Sequence, residues 1–328
     1  MPWLAAALAC GPAMLALSGF MIRHVIARLA WALPTLFAIL SLTFFLVRAA
    51  PGGPFDEERI LAPEVRRNLD AAYGLDQPLW VQFGRYLRNV MHGEFGPSFK
   101  YRDFTVTELI GQGFPVSARL GTFAMLLALA GGIAIGTFAA LHRRDLADRL
   151  GMAGAVLGIA IPTFVLLPFL ALVFGVRLKW LPVAGWEPGS PRYYVLPVLA
   201  LALPPMAVIS RLVRASMIEV LDTPFIRTAR AKGLHPATVI WRHALPPALI
   251  PVVGYLAPAV AAIMTGSLVV ESISGLPGIG RYLVQGALNR DYTLVMGMVV
   301  VYSTLLIVMG LIADLLYAWL DPRVRFRS

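Results

Sequence analysis

The sequence predicts an all-α fold, a polytopic transmembrane helical bundle with six core spans and both termini in the cytoplasm. Three observations carry that prediction. Of the 328 residues, 58% are hydrophobic and only 14% charged, whereas soluble domains hold about 25% charged residues. Long stretches contain no Asp, Glu, Lys, Arg or His, and about 20 apolar helical residues cross a hydrocarbon core about 30 Å thick. The basic residues collect in short segments that fall on one side of such a bundle.

In chain order the apolar runs are Met1 to Ile22, Leu29 to Val47, Leu120 to Leu141, Leu150 to Val176, Tyr193 to Ser210, Ala244 to Val270, and Tyr292 to Ala313, the last continuing past Asp314 to Leu320. Unbroken runs, rather than alternating ten-residue segments, select helices over a barrel. The first run is crowded against the second and lacks the basic start of a signal peptide. Residues 1–20 therefore read as an apolar N-terminal extension, and Met21, with Arg23 and Arg28 ahead of Leu29, as the start of a transmembrane domain over 21–328.

With the N-terminus inside, the cytoplasmic side gathers Arg23, Arg28, Arg143, Arg144, Arg149, Arg211, Arg214, Arg227, Arg230, Lys232, Arg242, Arg323, Arg325 and Arg327. The short outer loops hold Arg177, Lys179, Arg192, Arg281 and Arg290. Basic loops stay inside, so both termini are expected in the cytoplasm. Gly132, Gly136 and Ala140, and Gly154 with Gly158, place small residues four apart, a spacing that lets helices approach closely.

The same residues exclude several classes. A formal charge of +10 would suit nucleic acid only on a soluble basic face, and here the cations punctuate apolar runs. The lone Cys10 allows no internal disulfide and no thiolate metal site. No phosphate-binding Gly-x-x-x-x-Gly-Lys-Ser/Thr occurs, and the glycines at 275–280 lack the order of a dinucleotide fingerprint, so a bent outer loop is expected there. His24, His92, His142, His235 and His243 all lie outside the apolar runs, which argues against a membrane-embedded enzyme. An ion-coupled secondary transporter would show buried acids or broken half-helices, and Asp314, near the cytoplasmic surface, is the one acid within a run. Its expected role is capping or packing.

Two segments are not spans. The extracytoplasmic segment 49–118 carries turn residues at 50–54, helix-like charge spacing around Pro63 to Tyr73, and the aromatics Trp80, Phe83, Tyr86 and Phe95, which suit a small cap of short helices. The cytoplasmic segment 211–243 is longer than a connection requires. Thr223 before Pro224 reads as an N-cap with proline at the first helical position, and Gly233 after Arg230 and Lys232 as a left-handed C-terminal cap. A second short helix is expected from Pro236 to about His243, stopped by Pro246 and Pro247. Ala229, Ala231 and Gly233 would give a partner's groove close backbone access, with Ile240 and Trp241 as apolar anchors.

This segment carries a resemblance. Thr228-Ala229-Arg230-Ala231-Lys232-Gly233-Leu234, followed by Leu245-Pro246, resembles the loop by which importer permeases of the ATP-binding cassette class engage their ATPases. The general pattern reads Glu-Ala-Ala, three residues, Gly, nine residues, Ile, one residue, Leu-Pro. Here Arg227 and Thr228 replace the Glu and first Ala, and His243 the Ile. These departures match the version of the peptide and nickel subfamily. Further similarity lies in Ala50-Pro51-Gly52, Gly74-Leu75-Asp76-Gln77-Pro78, Gly93-Glu94-Phe95-Gly96-Pro97-Ser98, Gly275-Leu276-Pro277-Gly278-Ile279-Gly280, Arg290-Asp291-Tyr292 and Asp321-Pro322-Arg323. Phe95 to Lys100 and Gly286 to Tyr292 look closest to the oligopeptide B-subunit branch.

The resemblance implies a type I importer permease of the bacterial inner membrane, without enzymatic activity or a cofactor of its own. It further implies a homologous second permease, two ATPase subunits holding ATP and Mg, and an extracytoplasmic peptide-binding protein. The implied cargo is oligopeptide, with dipeptides, nickel, glutathione or a peptide antibiotic as alternatives. Arg227, Thr228, Ala229, Arg230, Ala231, Lys232, Gly233, Leu234 and His235 are the implied ATPase-coupling residues. Glu271, Gly278 and Gly280 are placed near the outer gate.

Overall fold

The computed structural model describes residues 3–50, 64, 67, 68, 71, 74–101 and 103–320, with side chains described from Ile26 onward except at 147, 156 and 317–320. Among them are helices, turns and one isolated bridge between Pro97 and Thr105. Five helices are long and apolar enough to cross a membrane, or six if a bent pair counts as one. The turn-rich residues expected after Ala50, and most of 63–73, lie outside the described residues.

Helix α1 (Trp3–Ala49) is one unbroken helix. The two apolar runs read at its start are therefore continuous in backbone, and the spanning part of the described chain is Ile26–Ala49. It runs antiparallel to the last helix, α12 (Tyr292–Leu320). Arg28 meets Asp314 at 2.8 Å at one end, and Arg48 donates to the Met296 Sδ at 3.5 Å at the other. Asp314 thus serves packing, as an ion pair between two spans.

After α2 (Leu79–Met91) the chain enters α3 (Val106–Leu141). A charge-free criterion starts this span at Leu120, behind Arg119; the helix begins at Val106 instead. Thr105 and Glu108 form a capping box there, with the Glu108 amide donating to Thr105 Oγ1 at 3.2 Å and the Thr105 amide to Glu108 Oε2 at 2.8 Å. At 1.5 Å per residue the 36-residue helix is about 54 Å long, so it projects beyond the hydrocarbon on the outer side.

The run Leu150 to Val176 is not one straight span. It divides into α4 (Leu146–Ala160) and α5 (Thr163–Leu170), the latter extended by a π-helical turn Ala171–Arg177, and the two halves meet at 109°. Pro162 causes the break. A residue before proline avoids the α region, and Ile161 is extended with ψ 116.

Helix α6 (Arg192–Leu221) lies along α3. A Cβ at Gly132 would come within 2.9 Å of the Met206 carbonyl, and one at Gly136 within 2.5 Å of the Ser210 carbonyl. Between helices in lipid, such close backbone approach supplies the attraction that apolar area cannot. In the other pair, a Cβ at Gly158 would lie 3.4 Å from the Leu203 carbonyl and from Ala207 Cβ of α6, while one at Gly154 would meet nothing within 4 Å, so that half of the small-residue expectation is met at Gly158 alone. Leu120, Leu201, Ile209, Met217 and Ile263 form the core between α3, α6 and the later helix α10 (Ile250–Ser274).

Candidate functional site

The cytoplasmic connection between α6 and α10 is anchored before it begins. Arg214 clamps the buried Asp148 of α4, Nε to Oδ1 at 2.5 Å and Nη2 to Oδ2 at 2.7 Å, and the Arg144 amide adds a bond to Oδ2 at 3.2 Å. Arg143 reaches Asp222 at 3.4 Å. The α3–α4 turn and the end of α6 are thereby joined beneath the loop.

Helix α7 (Pro224–Ala231) starts and stops where its residues dictate. Thr223 has the extended backbone of an N-cap, and Pro224 occupies the first turn, where a missing N–H costs nothing. The Thr223 hydroxyl does not cap; it donates backward to the Val220 carbonyl at 2.5 Å. At the other end Gly233 has φ +76. Its amide donates to the Arg230 carbonyl at 3.0 Å, and the Leu234 amide to the Ala229 carbonyl at 3.4 Å, which together make a Schellman motif.

The second helix also differs from expectation. It starts as α8 (Pro236–Thr238), with His235 Nδ1 accepting from the Ala237 amide at 3.3 Å. It then widens into a π-helical turn, Val239–Ala244, and continues as α9 (Leu245–Ala248). Pro246 and Pro247 do not stop it. They fall in the first turn of α9, where proline is tolerated in a helix.

One of the residues that the resemblance assigns to coupling faces inward. Ala229 is buried with Ile226 against the chain's own core, so it offers nothing to a partner. Arg227, Thr228, Arg230, Ala231, Lys232, Gly233, Leu234 and His235 are exposed. Of the two anchors, Ile240 is half-buried against the core, whereas Trp241 is 63% exposed. The outward surface is thus a short helical knob with Phe225, Leu234 and Trp241 as apolar contacts among Arg227, Arg230, Lys232 and Arg242. A ridge of this kind fits an apolar groove with an acidic rim.

At the opposite end of α10 lies the second cluster, about 37 Å away along the 25-residue helix. Helix α10 ends on left-handed Gly275, and the chain turns into α11 (Ile279–Leu288), whose N-cap position is Gly278. A glycine has no capping side chain, so other helices supply the cap. Ile279 donates its amide to Ser117 Oγ of α3 at 2.9 Å; Gly280 and Arg281 donate theirs to Oε2 of the fully buried Glu271 at 2.8 and 3.3 Å. The carboxylate also meets the positive end of the α11 dipole.

This explains both glycines. A Cβ on Gly278 would lie 2.2 Å from Glu271 Oε2, and one on Gly280 2.8 Å from the same atom and 3.0 Å from the Tyr302 hydroxyl. The structure therefore brings Glu271, Gly278 and Gly280 together, with Ser117 as the residue that spacing could not reveal. Nearby, Tyr101 bonds Gln285 and meets Tyr282 edge-on at 5.8 Å. Burial pushes both phenols above their ordinary range.

A model of the binding-protein-dependent transport system inner membrane component matches residues 132–326, and its N-terminal companion matches residues 21–120. The chain belongs to this family. Among curated relatives, the permease is 48% identical over 306 residues to the oligopeptide transport system permease protein OppB of Salmonella typhimurium, across 93% of this chain and all of that one. It is 48% identical to OppB of Haemophilus influenzae over the same shares, and 46% identical to the dipeptide transport system permease protein DppB of Bacillus subtilis over 94% of this chain and 99% of that one. Among solved structures, a chain of the MetNI methionine ABC transporter in inward-facing conformations superposes with a TM-score of 0.52 at 17% identity, covering 65% of this permease and 96% of that chain. At that identity the likeness concerns the fold alone.

Proposed function

We propose that this permease is one membrane subunit of an ATP-driven importer of oligopeptides, and that it forms the pathway together with a homologous second permease. The observation that carries the reading is the outward knob of α7 and the π-helical turn, held on the cytoplasmic end by the Arg214–Asp148 clamp. Two ATPase subunits, holding ATP and Mg, dock on it, and an extracytoplasmic peptide-binding protein delivers cargo to the other side. The absence of a phosphate loop from the sequence supports placing ATP hydrolysis on those partners.

Glu271, Gly278 and Gly280 act at the outer gate. Because the Glu271 carboxylate is held through amides of α11, a shift of α11 would leave a buried carboxyl group without those partners, which is costly. Relatives named for oligopeptides and for dipeptides differ little in identity to this chain, so dipeptides are the principal alternative cargo. Residues 1–20 act as a dispensable extension, and a chain begun at Met21 is expected to insert and transport normally.

The test is reconstitution with both ATPases, the second permease and the binding protein in proteoliposomes. ATP-dependent uptake of labelled tetra- and pentapeptides in preference to dipeptides is expected, with no ATP hydrolysis by the purified permease alone. Uptake driven by an ion gradient without ATP would overturn the mechanism, and exclusive uptake of dipeptides would overturn the cargo.

A further inference from the structure

Helix α2 carries an exposed face that the proposed function above does not use. Leu79–Met91 contains Arg85 and Arg88 and no carboxylate. Trp80, Gly84, Arg88 and Met91, at i, i+4, i+8 and i+11, share one side of the helix. All are exposed, Trp80 at 74% and Met91 at 77%. The other side is committed to the protein. Gln82 is buried, donating to the carbonyls of Leu75 and Gln77 and accepting from Arg48 at 3.0 Å, while Tyr86 stacks on Phe44 with ring centroids 5.8 Å apart.

The depth of the free face follows from what α2 rests on. Trp80 and Phe83 each meet the Phe45 ring at 5.5 Å, and Phe45 lies about 6 Å below the outer end of the span Ile26–Ala49. On that span Leu42 and Leu46 are exposed, so in a membrane they face acyl chains. Phe45, half-buried between them along the helix, links that apolar surface to Trp80. An exposed tryptophan at this level, with an arginine and a methionine on the same face of a helix that carries no acid of its own between the exposed Asp76 and Glu94, matches the boundary between acyl chains and phosphates.

We infer that α2 is an interfacial helix seated in the outer leaflet, with Trp80 and Met91 among the lipids and Arg88 against lipid phosphate. The inference is independent of the cargo. It is tested on the complete importer in nanodiscs containing phosphatidylglycerol, after Cys10, the only cysteine, is replaced by serine. Spin labels go on Trp80→Cys, Met91→Cys, Leu42→Cys as the lipid reference and Glu187→Cys as the water reference. At positions 80 and 91, collisions with oxygen should exceed those with a water-soluble nickel chelate several-fold, as at position 42. Nickel dominance, as at 187, would place the face in water and overturn the inference, and protection from both reagents would mean that protein covers it and would equally overturn it. Arg88→Glu should raise nickel access at 80 several-fold; no change would remove the phosphate contact. Positions 80 and 91 report the same face independently, so loss of one variant to misfolding leaves the test intact.

Discussion

Ser98 donates a hydrogen bond to Asp291 at 2.5 Å across 193 residues of chain. The carboxylate is fully buried and both its oxygens are used. Oδ2 also accepts from the amides of Phe99 and Lys100 at 3.1 and 3.2 Å, and Oδ1 from the Thr293 hydroxyl and the Leu294 amide at 2.9 and 3.1 Å. Asp291 thus caps α12 and staples the outer loop to its start. Asp291→Asn keeps the shape but turns an amide NH₂ toward donors. Hydrogen bonds to charged groups contribute about 1.5–3 kcal/mol, so the stability of the purified chain in detergent should fall by an amount of that order, seen as a lower melting point, with new proteolysis near Lys100. An unchanged melting point would remove the staple.

Gly278 and Gly280 should resist even a methyl group. Overpacking costs about 1–3 kcal/mol, and here the added carbon meets a carboxylate already holding the α11 amides. Gly278→Ala should reduce uptake strongly, while Gly154→Ala, with open space at its Cβ, should leave uptake unchanged. Equal behaviour of the two variants would deny the outer turn any special role.

At Gly233 nothing lies within 4 Å of an added Cβ, so a substitution acts through backbone strain alone. A left-handed non-glycine residue costs about 1–2 kcal/mol, less for asparagine. Gly233→Val should weaken ATPase co-purification and abolish peptide uptake, Gly233→Asn should retain most of both, and membrane insertion should be normal in each. Full uptake by the valine variant would reduce the loop to a solvated connection.

Asp314 pairs with Arg28 where both side chains are partly exposed. Such pairs contribute less than about 1 kcal/mol. Asp314→Asn should therefore leave ATP-driven uptake unchanged, as measured in proteoliposomes. Loss of uptake with normal assembly would reopen a proton-relay role.

Topology can be read with a reporter that works only in the cytoplasm. Fused after Ser328 it should be active, and inserted beside Gly189 it should be silent. The opposite pattern would reverse the bundle.

The ends of α7 were legible because they depend on local backbone chemistry: Pro224 sets φ for a first turn, and Gly233 alone in its neighbourhood accepts positive φ without strain. The side on which Ala229 falls was not legible, since a short amphipathic helix can present its small residues to its own core or to a partner. Its neighbour Ile226, three residues earlier and fully buried, was the available signal. The true start of α3 was obscured for a related reason. Charge marks what lipid rejects, whereas the Thr105–Glu108 box marks where a helix begins, and the two need not coincide in a helix longer than the membrane is thick.

By itself the sequence determined which segments enter lipid, which side keeps the cations, and where α7 starts and stops, because each follows from composition or from the conformational range of single residues. Only the tertiary structure decided that Glu271 and Ser117 cap α11, that Asp291 holds Ser98, and that the fourth apolar run bends at Pro162 instead of crossing straight. A buried carboxylate takes whichever donors the packed helices bring to it, and residues 117, 271 and 280 become neighbours through the approach of three helices that no spacing along the chain encodes.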